Sequence, residues 1–113
     1  AAVREAQEEI GLAPEHVSLA GYLHDHLVIT GYIITPAVGF VRPGFELKLD
    51  MTEVEDAFEV PLEFVLDPIN HVASTRVFAG QAFTTHDIPF GERHIWGATA
   101  GMLLSLYQML QEV

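Results

Sequence analysis

A chain of 113 residues, half of them apolar and 19% charged, holds at most one domain, and it is too apolar to stay disordered. Five basic residues against 16 acidic ones give a formal charge of −11, which argues against nucleic acid as a partner, because phosphate binding needs a basic surface. There is no cysteine, so disulfide frameworks and thiolate metal sites are excluded and a reducing cytoplasm is a compatible setting.

The chain opens inside a helix that runs to about Ile10. On it Glu5, Glu8 and Glu9 stand at i, i+3 and i+4, so they project from one face. Like charges at that spacing repel by a few tenths of a kcal/mol each. A bound Mg²⁺ or Mn²⁺ reverses the sign, since hard divalent cations take clustered carboxylates together with phosphates. The bland alternative is a solvated acidic face. Gly11 stands where a helix ends on a left-handed residue.

Pro14 marks a loop, and Val17–His24 alternates moderately and reads as a strand. Thr30–Val41 is rich in β-branched residues and reads as a central strand buried on both faces, although Pro36 suggests a bulge or an edge. Pro43-Gly44 is a turn, Phe45–Leu49 a short half-exposed strand, and Ala57–Val60 another strand. Pro61 fits the first turn of a helix over Leu62–Leu66, which Asp67-Pro68 ends. Val72–Phe78 and Ala82–His86 form a hairpin around Ala79-Gly80-Gln81, and Ile88–Gly91 is a loop. His94–Trp96 is the last strand. Ala98–Gln111 is the closing helix, with a Leu103, Leu106, Tyr107, Leu110 stripe. Leu27–Val41 and Ile95–Leu110 carry no charge but fall short of the about 20 residues a membrane span needs, so no membrane partner is expected. Strands interleaved with helices predict a mixed sheet between helices, an α/β/α sandwich.

The run Arg4-Glu5-Ala6-Gln7-Glu8-Glu9-Ile10-Gly11-Leu12 resembles the second half of the Nudix box, G-x5-E-x7-R-E-U-x-E-E-x-G-U with U aliphatic. Arg4, Glu5, Glu8, Glu9 and Gly11 meet every fixed letter from the Arg onward; Ala6 and Leu12 occupy aliphatic positions. The box's first half would precede Ala1. Residues 1–113 are therefore expected to form a single Nudix domain lacking its N-terminal strands and that half, and to be inactive alone. Three further stretches, Ile34–Gly39, Glu53–Leu62 and Ile95–Leu103, resemble the coenzyme A diphosphatase branch of the Nudix hydrolases.

The resemblance implies a Nudix-like α/β/α sandwich and a metal-dependent diphosphatase. Its substrate is a nucleoside diphosphate linked to another group, foremost coenzyme A or acyl-coenzyme A, cleaved to 3′,5′-adenosine diphosphate and 4′-phosphopantetheine. It assigns Mg²⁺ or Mn²⁺ to Glu5, Glu8 and Glu9, and gives Arg4 the task of orienting a neighbouring carboxylate through a bidentate pair. The general base is Glu8 or Glu53, the latter five residues before Phe58. A Nudix hydrolase of ADP-ribose or a nucleotide sugar is the second reading. A non-catalytic nucleotide-binding module is the third, disfavoured because all three carboxylates are kept. Gly97, Ala98, Ala100 and Gly101 suit close packing better than a substrate role for Trp96. His24-Asp25-His26 suits a polar turn better than a zinc pair, and His71, His86 and His94 show no partner in the sequence. The apolar closing helix serves equally as core or as the surface of a homodimer.

Overall fold

A computed structural model of the chain describes residues 1–27, 31–44 and 46–112. They fall into two compact units, one made of Ala1–Tyr22 and Ala37–Glu59, the other of Leu23–Pro36 and Val60–Val113.

The first unit begins with α1 (Ala2–Ile10), whose half-buried apolar positions Val3, Ala6 and Ile10 keep a helical spacing. Gly11 ends it in the left-handed conformation at φ 74°, as expected, and donates its N–H to the Gln7 carbonyl at 3.0 Å. Leu12 follows at once and is buried. After a 3-10 turn over Pro14–His16, β1 (Val17–Tyr22) leaves this unit's first segment. In the second unit β2 (His26–Leu27) pairs antiparallel with β3 (Ile33–Ile34). Back in the first, β4 (Ala37–Val41) pairs antiparallel with β1 from Val17↔Val41 to Tyr22↔Ala37, with an irregularity between Leu19 and Gly21. The Arg42 N–H extends that ladder to the His16 carbonyl at 2.8 Å.

The second unit continues with α2 (Leu62–Val65), which starts directly after Pro61. Asp67 then accepts the Ile69 N–H at 3.1 Å and so caps a 3-10 turn over Pro68–Asn70. A three-stranded antiparallel meander follows: β5 (Val72–Phe78), β6 (Gln81–Phe90) and β7 (Arg93–Trp96), with β6 in the middle. The chain closes with α3 (Gly97–Gln111). Val65, Ile88 and Ala100 form the buried centre of this unit. Phe64 meets Phe90 edge to face at 5.0 Å, and Tyr107 of α3 meets the His71 ring at 5.9 Å. Gly101 lets α3 approach β2 closely, since a Cβ there would stand 2.6 Å from His26 Cε1. Gly101 therefore serves packing, and Ala100 is buried, whereas a Cβ at Gly97 would meet nothing within 4 Å.

The α/β content expected from sequence is present, but the ladders differ from the mixed sheet predicted. Among the described residues every strand pair is antiparallel, in three separate sheets. The central strand over Thr30–Val41 is not formed. Thr30 lies outside the described residues, Thr35-Pro36 separate β3 from β4, and Tyr32, Ile33 and Phe40 are about 70% exposed. Among the described residues each of the two strands has one paired neighbour, and Pro36 interrupts the run as its missing N–H requires. Phe45 is outside the described residues, while Glu46–Leu49 and Ala57–Val60 are not strands. The Lys48 N–H goes instead to the Ile10 carbonyl of α1 at 2.8 Å. Ile88–Phe90, expected as loop, extends β6 and pairs with Arg93–Ile95. Pro89 is tolerated there because it lies beyond Asp87, the last β6 residue paired with β5. Among the described residues no helix is long and apolar enough to cross a membrane.

Two glycine-type positions generate opposite expectations. Gly11→Ala places a Cβ 2.9 Å from the Lys48 Cβ at a left-handed φ, and denaturant melts should show a loss of about 2 kcal/mol or more. In the β5–β6 hairpin the two loop residues Ala79 (φ 51°) and Gly80 (φ 77°) are both left-handed, the demand of a type I′ turn. Ala79→Asn should therefore stabilise the chain, by roughly 0.5–1 kcal/mol.

Candidate active site

Glu5, Glu8 and Glu9 all lie on α1, with Glu5 and Glu8 exposed and Glu9 half-buried. Arg4 Nε stands 3.8 Å from Glu8 Oε1, one long contact between two exposed side chains rather than a bidentate fork. A surface i,i+4 pair of this kind contributes about 0.3–0.5 kcal/mol. No basic side chain stands in the last turn of α1. Glu8 and Glu9 thus meet both the charge of Glu5, at i+3 and i+4, and the negative end of the helix dipole.

The last turn of α1 is held by a segment distant in sequence. The Lys48 N–H donates to the Ile10 carbonyl and the Asp50 N–H to the Glu9 carbonyl, each at 2.8 Å. These bonds satisfy two of the carbonyls that every helix leaves unpaired at its C-terminus. Asp50 then organises the turn that follows. Its Oδ1 accepts the Thr52 hydroxyl at 2.7 Å and the Thr52 N–H at 3.0 Å, while its carbonyl accepts the Glu53 N–H at 3.0 Å and the Val54 N–H at 2.8 Å. First the Thr52 hydroxyl and then its N–H favour the ionised form, holding the Asp50 carboxyl below the usual carboxylate range.

Two residues named from the sequence, Glu9 and Glu53, are thus tied to one hydrogen-bonded unit through Asp50. Glu5 and Glu8 share the helix, but among the described residues no hydrogen bond joins them to the turn. Asp50 and Thr52 were not singled out from the sequence as organisers. Their signal was there, an Asp two residues before a Thr, the spacing of an Asx-type turn.

Among the described residues no three His, Asp or Glu side chains gather closely enough to hold a metal ion. The donor set is all carboxylate oxygen, which suits a hard divalent cation and not a soft one. At the other histidine-rich stretch, Asp25 Oδ1 accepts the Thr35 hydroxyl at 2.6 Å and His26 packs on Gly101, so His24-Asp25-His26 behaves as a polar turn and a packing residue.

No protein-family model matches the chain. It is 33% identical over 110 residues to the Nudix hydrolase NudL of Photorhabdus laumondii, a match that covers 97% of this chain and 59% of that protein. It is 32% identical over 106 residues to NudL of Citrobacter koseri, covering 94% and 55% respectively. To the peroxisomal coenzyme A diphosphatase of Mus musculus it is 34% identical over 85 residues, 75% of this chain and 36% of that protein. The chain spans about half the length of the curated relatives it matches. It belongs to the Nudix hydrolase family.

The Asp50 turn yields a pH expectation. A carboxyl whose pKa is depressed on folding contributes stability that is present above its unfolded pKa and lost as pH falls through the folded one. Thr52→Val removes the hydroxyl donor, so the Asp50 carboxyl should titrate at a higher pH than in the parent chain. NMR of the side-chain carboxyl carbon reads this directly, and an unchanged titration curve would show that the hydroxyl does not set it.

Proposed function

We infer that this chain carries the reacting carboxylates of a metal-dependent diphosphatase. Its substrate is coenzyme A or an acyl-coenzyme A, cleaved to 3′,5′-adenosine diphosphate and 4′-phosphopantetheine. The observation that supports this most is the bond from Asp50 to Glu9, because it joins the box helix to the turn that carries Glu53. Similarity to a protein named a coenzyme A diphosphatase supports the substrate. The sheets belong, on the same reading, to an α/β/α sandwich.

A diphosphate is polyanionic, and a chain of charge −11 repels it unless a cation intervenes. Glu5 and Glu9, with Glu8 beside them, are the residues that would hold Mg²⁺ or Mn²⁺. Bound there, the cation supplies positive charge against the phosphoryl oxygens and makes nearby water more acidic. Arg4 orients Glu8 through their contact. One carboxylate, Glu8 or Glu53, takes a proton from the attacking water as its oxygen bonds to phosphorus. The bridging P–O bond breaks and that oxygen leaves with the departing phosphate.

Glu9→Gln keeps volume and relieves a like-charge contact. Measured in the full-length protein, it should lower Mg²⁺-dependent turnover of coenzyme A by about 100-fold or more while the melting temperature holds or rises. Unchanged turnover at saturating metal would remove Glu9 from the site. Mg²⁺ or Mn²⁺ should also raise the melting temperature by mass action, a gain that disappears when Glu5, Glu8 and Glu9 are all changed to Gln. A gain that survives the triple change would place the cation elsewhere, for example on the Asp50–Asp56 loop. Glu8→Gln and Glu53→Gln separate the two candidate bases, since only the true base removes the acidic limb of the pH–rate profile.

A further inference from the structure

Glu53 stands in a part of the chain without regular ladders, since residues 46–61 form neither helix nor strand. Its place relative to Glu9 is therefore set by individual contacts. Asp50 makes them on both sides. Its N–H donates to the Glu9 carbonyl at 2.8 Å, and its own carbonyl accepts the Glu53 N–H at 3.0 Å and the Val54 N–H at 2.8 Å. The bond from Glu53 back to Asp50 closes a four-residue turn, which keeps the two Cα atoms within about 7 Å of each other. Glu53 is thus one turn away from a residue bonded to the helix that carries Glu5, Glu8 and Glu9.

Two side chains brace this turn. Asp50 Oδ1 accepts the Thr52 hydroxyl at 2.7 Å and the Thr52 N–H at 3.0 Å. Two donors on one carboxylate oxygen fix the Asp50 side chain and the backbone at position 52, immediately before Glu53. Asp50 is half-buried while Met51, Thr52 and Glu53 are exposed, so packing contributes little here and the polar bonds carry the geometry.

We propose that Asp50 and Thr52 are positioning residues: their turn, anchored on the Glu9 carbonyl, holds Glu53 where its carboxylate takes the proton of the attacking water as the water oxygen bonds to phosphorus and the bridging P–O bond breaks. The proposal rests on the diphosphatase reading with Glu53 as base. Neither Asp50 nor Thr52 needs to touch substrate or cation, since both act through Glu53. Misplacing a reacting group by about 1 Å can cost about 100-fold in rate. Loosening the turn should therefore slow the chemical step and leave substrate binding nearly as it was.

The test is a double-mutant cycle in the full-length protein, with Mg²⁺ and coenzyme A. Asp50→Ala should lower kcat about tenfold or more with KM within about twofold, and Thr52→Val should act in the same direction. Asp50→Asn keeps an oxygen that accepts both donors, and Thr52→Ser keeps the hydroxyl, so each should recover most of the loss. In a Glu53→Gln background, Asp50→Ala should change kcat by less than about twofold, because the group it positions is already disabled. Amide hydrogen exchange checks the turn without substrate: the Thr52, Glu53 and Val54 amides should exchange about fivefold faster or more in Asp50→Ala than in the parent or Asp50→Asn. Melting curves confirm that the variants fold, and the exposed Thr52 pair serves if Asp50→Ala does not. Equal exchange in parent and Asp50→Ala, an undiminished Asp50→Ala loss in the Glu53→Gln background, an effect on KM alone, or unchanged turnover in Glu53→Gln would each overturn the proposal. A parent protein that leaves coenzyme A intact would instead overturn the substrate reading, and the same cycle then runs on ADP-ribose.

Discussion

Two backbone hydrogen bonds, from Lys48 to Ile10 and from Asp50 to Glu9, hold the acidic part of the first unit together. A helix end leaves carbonyls that must find donors, and here the donors come from about forty residues downstream. The approach is possible because Gly11 has no Cβ. An added one would stand 2.9–3.1 Å from Lys48 side-chain and backbone atoms. The glycine of the box therefore has two tasks, a left-handed stop and a gap through which the 48–50 segment reaches the helix. Without both, the Glu53 turn would have no fixed relation to Glu9.

The electrostatics of α1 run against its own stability. Acidic side chains crowd its last turn, where cations are favoured, and among the described residues the helix has one ion pair, the long contact of Arg4 with Glu8. Meanwhile the apolar side of the same helix is ordinary, with Val3, Ala6 and Ile10 half-buried. Packing fixes the helix, and the opposite face is free to carry repelling charge. Such a division is expected where side chains serve a ligand, because function tolerates local destabilisation that packing elsewhere offsets.

What the sequence made legible follows the range of the interactions involved. Local signals served well. The helix ending at Gly11, the short helix after Pro61, the closing helix and the β5–β6 hairpin all appear where spacing and turn residues put them. The run Thr30–Val41 misled, because β-branched composition reports suitability for a strand but not how many neighbours that strand has. Pro36 was the better guide. The Ile88-Pro89-Phe90 stretch misled in the other direction, since a proline counts against a strand only where its missing N–H would face a partner, and there β5 has already ended. At the candidate site the carboxylates were legible as a motif. The Asp50–Thr52 turn that ties Glu53 to the helix was not, because its role depends on a contact with Glu9 that no local pattern encodes.

In the second unit, register links the core to the opposite face of the meander. The two-residue loop Ala79-Gly80 pairs Phe78 with Gln81 and carries the β5–β6 ladder unbroken to Val72↔Asp87. The Gly91-Glu92 loop pairs Phe90 with Arg93 and fixes Asp87↔Trp96 at the far end. Side chains alternate, so setting Asp87 and Trp96 on one face sets Ile88 and Ile95 on the other. Ile88 is accordingly buried and Trp96 exposed. A slip of one residue would bury the Asp87 carboxylate and expose Ile88, a cost in charge burial and lost apolar contact together. The hydrophobic effect that places Ile88 inside thus also holds Asp87 within reach of His94 and sets Arg76 opposite Phe83. The polar arrangement of that face is a consequence of how the core is packed.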